Sequence, residues 1–199
     1  MKKMLVLALV VLLSLSSSIV VFANTASVSQ KGNGFLATVD QAGTDNVAGI
    51  DQGRVGSNGN NAVVVLSQSG SDNIGYVIQN ANAARANVGL LQNGNDNYAD
   101  VYQFAWAWGK ANAFVSQDGD QNIATISNYT ASSAEIYQIG DNNLATIHQG
   151  SGNVHYNVAG ITQNGDSNVA GMSQNGNSNT GLVSQTGNNN TVFVTQNSL

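Results

Sequence analysis

Few side chains in this 199-residue chain could do acid–base, redox or metal chemistry, and their spacing argues against all three. There is no Cys, and His148 and His155 are the only histidines. A metal site needs a third ligand beside such a pair, and none accompanies it, so both read as surface histidines. Aspartates recur in short polar strings, at Asp72, Asp96, Asp141 and Asp166. Calcium-binding roll repeats need paired glycines and ligands at nine-residue spacing, which these strings lack. They read instead as solvated turn residues whose stacked like charges would slow premature association. No nucleophile–base spacing, phosphate loop or clustered carboxylates in a cleft is evident. Neither enzyme activity nor a cofactor or metal is expected.

What abounds is the primary amide. The string Q-x-G-x-x-N begins at Gln41, Gln68, Gln92, Gln117, Gln138, Gln163 and Gln185. It ends at Asn46, Asn73, Asn97, Asn122, Asn143, Asn168 and Asn190. Six residues further on stands another glutamine, at Gln52, Gln79, Gln103, Gln149, Gln174 and Gln196, with Asn128 replacing it in one unit. An amide carries both donors and an acceptor. Stacked on its own kind about 4.8 Å above and below, it can donate to one neighbour and accept from the other. Buried without such partners it would be costly. These glutamines and asparagines are therefore the expected self-assembly ladder, and a slipped unit would leave their amides unpaired.

The elements that must hold them follow from the residues between. Each unit contains two stretches with a small residue, an apolar residue and Gln at alternate positions, which is strand periodicity. The apolar column holds Val39, Ile50, Leu66, Val77, Leu90, Val101, Val115, Ile126, Ile136, Ile147, Ile161, Met172, Val183 and Val194. No polar residue interrupts it. The column two places earlier holds only small residues or Val, such as Ala37, Ala48, Ala113, Ala124 and Ala170. Pro is absent, which suits an unbroken hydrogen-bond ladder. One unit buries too little to be stable, and stacking supplies a continuous narrow interior. The expectation is an all-β, two-sided β-solenoid of about seven strand–turn–strand rungs with cross-β stacking, fourteen strands over residues 35–196. Gly at the third place and Asn at the sixth of each string are turn residues, able to take left-handed angles or to cap a turn.

Residues 1–23 read as a signal peptide: Lys2 and Lys3, an apolar run from Met4 to Leu13, then Val21 and Ala23 before a cut ahead of Asn24. No membrane span is expected once it is removed. Residues 24–34 are expected to form a short N-terminal segment and residues 197–199 a tail. Without the leader, Lys31, Arg54, Arg85 and Lys110 face eleven acids, a net charge of −7 with no basic patch for nucleic acid. The solenoid is expected to be uncapped at both ends and so to accept further copies.

QAGTDNVAGIDQ, QNGNDNYADVYQ, QIGDNNLATIHQ and QNGDSNVAGMSQ resemble the curlin repeat, Q-x-G-x-x-N-x-A-x-x-x-Q. The resemblance spans roughly residues 35–196. It implies a secreted subunit of curli, the functional amyloid fimbria (fibres sometimes grouped with the pili) that Gram-negative bacteria assemble at the extracellular cell surface for biofilm matrix and cell adhesion. It further implies a homopolymer fibre, a second curli subunit and an outer-membrane secretion pore as partners. A curli nucleator subunit and a monomeric ligand-binding β-solenoid are the alternatives. Regular outward Thr ranks would mark an ice-binding face, whereas Gly49, Tyr76, Asp100, Thr125, Thr146 and Gly171 are mixed. Trp106 and Trp108, beside Phe104 in the longest connecting arc, are either a docking patch or an arc folded onto its own solenoid.

Overall fold

The computed structural model describes residues 11–13, 23–32, 34–53, 62–81, 86–105, 110–129, 131–150 and 156–198. Every regular element among them is a β-strand. The first sheet runs β1 (Val11–Leu13), β3 (Leu36–Thr44), β5 (Val63–Ser71), β7 (Ala86–Asn93), β9 (Ala111–Asp118), β11 (Ser133–Ile139), β13 (Val158–Asn164) and β15 (Thr180–Thr186). The second runs β2 (Thr25–Gln30), β4 (Val47–Gln52), β6 (Ile74–Ala81), β8 (Tyr98–Ala105), β10 (Ile123–Tyr129), β12 (Leu144–Gln149), β14 (Val169–Asn175) and β16 (Thr191–Asn197). The chain crosses from one sheet to the other at every connection, and all pairings are parallel, the expected two-sided solenoid. From β3 to β16 it makes the seven expected strand pairs.

Two strands lie outside those pairs. Strand β2 falls within residues 24–34, where a leading segment was expected, and pairs in register with β4. Ala26, Val28 and Gln30 repeat the small–apolar–Gln template, and Asn24 precedes them as Asn46 precedes β4. Its link to β3, QKGNGF, has the usual length but closes on Phe35 where the other strings close on Asn, which hides the unit. Strand β1 comes from the apolar run of the expected leader and pairs three residues with β3.

The register explains the columns. Each step stacks small on small or Val, apolar on apolar and Gln on Gln, as in Ala124–Ala145, Ile126–Ile147 and Ile136–Ile161, save where Asn128 stands between Gln103 and Gln149. The fourteen apolar residues are all buried except Val194 in the outermost strand, which is partly so. Burying each Leu or Ile contributes about 1.5–3 kcal/mol relative to exposure, and the small column lets the sheets close onto it. At Gly75 a Cβ would press on Leu90 Cδ2 at 3.0 Å and Leu66 Cδ1 at 3.2 Å, so the glycine makes room for two leucines of the opposite sheet. Tyr76, Tyr137 and Phe193 point outward as alternation requires.

Candidate self-assembly site: the amide ladders and open edges

The first-sheet glutamines form one continuous ladder. Each Nε2 donates to the Oε1 of the next rung: Gln41 to Gln68 at 2.8 Å, Gln68 to Gln92 at 2.8 Å and Gln92 to Gln117 at 3.0 Å. The run continues from Gln117 to Gln138 and Gln138 to Gln163 at 3.0 Å, then to Gln185 at 2.8 Å. The same amides tie the two sheets together, since Gln68 Nε2 also reaches the carbonyls of Val47 and Asn73 at 3.0 and 3.1 Å.

The second-sheet ladder runs from Gln30 through Gln52 and Gln79 to Gln103, at 2.8, 2.8 and 3.0 Å. It resumes from Gln149 to Gln174 and Gln196, at 2.9 and 2.7 Å. Between the two pieces sits Asn128, which is buried, and both its Oδ1 and Gln149 Oε1 are buried without a hydrogen-bond partner. Leaving such a group unmatched costs about 1–3 kcal/mol.

The asparagines form a third ladder of opposite sense. Asn73 offers both its backbone N–H and its Nδ2 to Asn46 Oδ1, at 3.1 and 2.9 Å, so it donates backwards along the axis. Its Nδ2 also reaches forward to the Gly94 carbonyl at 2.7 Å. The pattern repeats at Asn97, Asn122, Asn143, Asn168 and Asn190, and begins at Asn24, whose Oδ1 accepts from Asn46. Asn46, Asn73, Asn97 and Asn122 each also reach a glycine carbonyl of the following rung, so these four span three rungs and fix the turn between the sheets.

The turn geometry divides the two expected roles, since the sixth-place asparagines cap the turn, as Asn73 Nδ2 does to the Ser69 carbonyl at 3.4 Å. Gly at the third place does take positive φ, +119° at Gly94 and +122° at Gly119. The second left-handed residue, however, is the fifth, not the sixth: Asp45, Asp72, Asp96, Gln121, Asn142, Ser167 and Asn189 lie at φ between 54° and 58°. The sixth serves the ladder. A Cβ at Gly94 would sit on the Gly119 carbonyl oxygen, so the glycines are required by the stacking of turns as well as by φ. The fourth place makes its own chain: Asp120 Oδ1 accepts from Asn95 N–H, Asp141 Oδ1 from Asp120 N–H and Asp166 Oδ1 from Asp141 N–H, at 2.8, 2.8 and 3.0 Å.

All twenty expected ladder residues therefore face the interior columns or the turns that close them, and Gln30 and Asn24 join them at the β2 edge. The outer face of the second sheet carries Tyr76, Tyr98, Tyr102, Phe104, Tyr129 and His148 in edge or tilted contacts. Within it, Tyr98 has its phenol raised above the ordinary value by burial and by Asp100 and Tyr76, and burial raises the Asp100 carboxyl. Trp106, Trp108 and His155 lie outside the described residues. Among the described residues no group of three His, Cys, Asp or Glu could hold a metal, and no helix is long and apolar enough to cross a membrane.

Compared with known families, the chain matches the curlin associated repeat over residues 130–156 and 170–197. No curated protein matches it.

Proposed function

We propose that this chain, in which residues 130–156 and 170–197 match the curlin associated repeat, is a structural subunit of an extracellular curli-type fibre and not an enzyme. It is exported by a Gram-negative bacterium, loses residues 1–23, and polymerises end to end at the cell surface, where the fibre serves biofilm matrix and adhesion. A second fibre subunit and an outer-membrane secretion pore are the partners this function requires.

One observation carries the proposal: the ladders reach both open edges with complementary valences. At the β15–β16 edge, Gln185 and Gln196 Nε2 each donate to one carbonyl, of Val169 and Thr180. The rung that would accept their second N–H lies beyond the edge. At the β2–β3 edge, Gln30 and Gln41 donate onward, and the rung that would donate to their Oε1 lies beyond that edge. Glutamine donors at one end and glutamine acceptors at the other, with the asparagine ladder running the opposite way, favour a head-to-tail polymer of identical units. A head-to-head joint would oppose donor to donor or acceptor to acceptor in every ladder.

The test is direct. The full chain is expressed with its leader in an exporting host, and the processed protein is recovered in denaturant, diluted, and followed by thioflavin fluorescence and fibre diffraction. The expected result is sigmoidal assembly with a 4.7–4.8 Å reflection, the strand repeat of cross-β fibres. A lasting soluble monomer without that reflection would sink the fibre function.

A further inference from the structure

Resting on the fibre function proposed above, we propose that successive copies are related by a half-turn about the solenoid axis, so that the first sheet of one copy continues into the second sheet of the next. From β2 to β16 the described residues form fifteen strands, eight in the second sheet and seven in the first once β1 is removed with the leader. The two outer edges are therefore staggered by one strand. If copies stacked without rotation, β2 would pair with the neighbour's β16, and the place beside β3 that β1 occupies would stay empty. The backbones of Leu36–Thr44 and Thr180–Thr186 would then face each other across a missing strand, with their N–H and C=O groups unpaired.

A half-turn removes the vacancy. Strand β2 then lies on the neighbour's β15 and β3 on its β16, which takes the place of β1. Both sheets follow one inward template, so the columns match. Ala26, Val28 and Gln30 meet Gly181, Val183 and Gln185, while Ala37, Val39 and Gln41 meet Val192, Val194 and Gln196. The turns match as well. Gln30 to Phe35 is a five-residue step with positive-φ glycine at Gly32, and it lands on Gln185 to Asn190, the same length with positive-φ Gly187.

The strongest support lies at the other corner. Over most of the solenoid the link from second to first sheet varies in length and sequence. The last one, Gln174 to Asn179, is instead a further Q-x-G-x-x-N string with Gly176 at φ +89° and Ser178 at +58°. There Asn157 and Asn179 start a second asparagine ladder: Asn179 N–H and Nδ2 donate to Asn157 Oδ1 at 2.9 and 3.2 Å. After a half-turn the residue placed above Asn179 is Asn24, the head of the long ladder, so the new column runs straight into the old one. At the opposite corner Phe35 lies over Asn190, and its backbone N–H occupies the place from which each ladder asparagine donates. Leu182 and Phe193, the two most exposed apolar side chains, lean back over Gly160 and Gly171 and leave the edge clear for the incoming copy.

The chain has no native Cys, which makes the register measurable by thiol crosslinking. A half-turn places Ser29 beside Ser184 and Asp40 beside Thr195 of the next copy, whereas unrotated stacking places Ser29 beside Thr195. Neighbouring strands at ~4.8 Å are within disulfide reach. Three double variants of the full chain are exported, processed and assembled: Ser29→Cys with Ser184→Cys, Asp40→Cys with Thr195→Cys, and Ser29→Cys with Thr195→Cys. Thr125→Cys with Thr146→Cys, paired within one chain, calibrates the crosslink yield. The expected result is a covalent oligomer ladder from the first two and monomer from the third, with helical reconstruction giving a half-turn and a rise of roughly 36 Å per copy. Crosslinking of the third alone, or of none while the calibrating pair reacts, overturns the half-turn. So does a mass showing Val11–Leu13 retained in the fibre, since β1 would keep its place. If the unsubstituted chain forms no fibre with a cross-β reflection, the proposed function itself fails, an outcome distinct from fibres that crosslink in the other register.

Discussion

Gln149 and Gln163 look interchangeable by type, column and burial, yet the ladder predicts unequal costs for replacing them with Leu. Gln163 Oε1 accepts from Gln138, and its Nε2 donates to Gln185 and to the Leu144 carbonyl. Gln163→Leu removes three bonds at about 1 kcal/mol each and orphans Gln185 Oε1, a further ~1–3 kcal/mol. Gln149 Nε2 donates to Gln174 and to the Ser133 carbonyl, but its own Oε1 has no partner. Gln149→Leu therefore removes those two bonds and orphans Gln174 Oε1, while deleting an acceptor that already costs about 1–3 kcal/mol. The added apolar surface is the same in both variants and cancels. Gln163→Leu should exceed Gln149→Leu by about 2–4 kcal/mol, one extra bond plus one relieved orphan. The assay is the urea midpoint of freshly diluted chain, read before assembly, with the lag time of thioflavin growth as a second readout. Equal losses, or a larger loss at Gln149, would refute the energetic account of the broken ladder.

Two further predictions test the turns and the outer face. Gly94→Ala places a Cβ on the Gly119 carbonyl at positive φ and should cost about 1–3 kcal/mol. Gly160→Ala meets only the Leu182 Cδ2, a movable side-chain end, and should cost much less; equal urea midpoints would contradict the stacked-turn geometry. Burial raises the Asp100 carboxyl in the fold, so the anion is the disfavoured form. Stability is then highest below the ordinary carboxyl range, falls as pH rises through the folded-state pKa, and stays lower above it. Asp100→Asn should raise the neutral-pH midpoint and flatten that slope, and an unchanged slope in a pH series would exclude the assignment.

Most of the fold was legible because each inward column is uniform. Stacking places position on position, so small, apolar and Gln columns in the sequence become layers in space with no tertiary rearrangement to obscure them. Strand β2 is hidden in the sequence because the string that follows it closes on Phe35 where the repeat has Asn. The string at Gln174–Asn179 is obscured because it lies on the side where the other connections vary. Donor direction was out of reach for another reason. Gln and Asn carry the same amide, and whether it points up or down the axis depends on side-chain length against the turn it must satisfy, a matter of rotamer that composition does not encode.

Asn128 shows that dependence most clearly. In the regular turns a glutamine amide reaches the carbonyl five residues on, as Gln41 does to Asn46 and Gln92 to Asn97, both at 3.0 Å. On the opposite corner, where Gln79 reaches the carbonyl seven residues on and Gln52 the one ten on, Asn128 Nδ2 reaches the Ser132 carbonyl only four residues on, at 3.1 Å. The side chain shorter by one methylene still closes this short connection, so local closure of the turn is kept. What is lost is the axial contact, because the shortened amide no longer meets Gln149. The two demands on each amide, closing its own turn and bonding to the next rung, are thus separable, and at this rung the turn wins. Register survives there because the first-sheet ladder passes the same level unbroken, from Gln117 to Gln138, and the asparagine ladder does too, from Asn122 to Asn143. With three parallel ladders, a rung can lose one and still be held by two, which is why a solenoid of this kind tolerates a substitution that a single ladder would not.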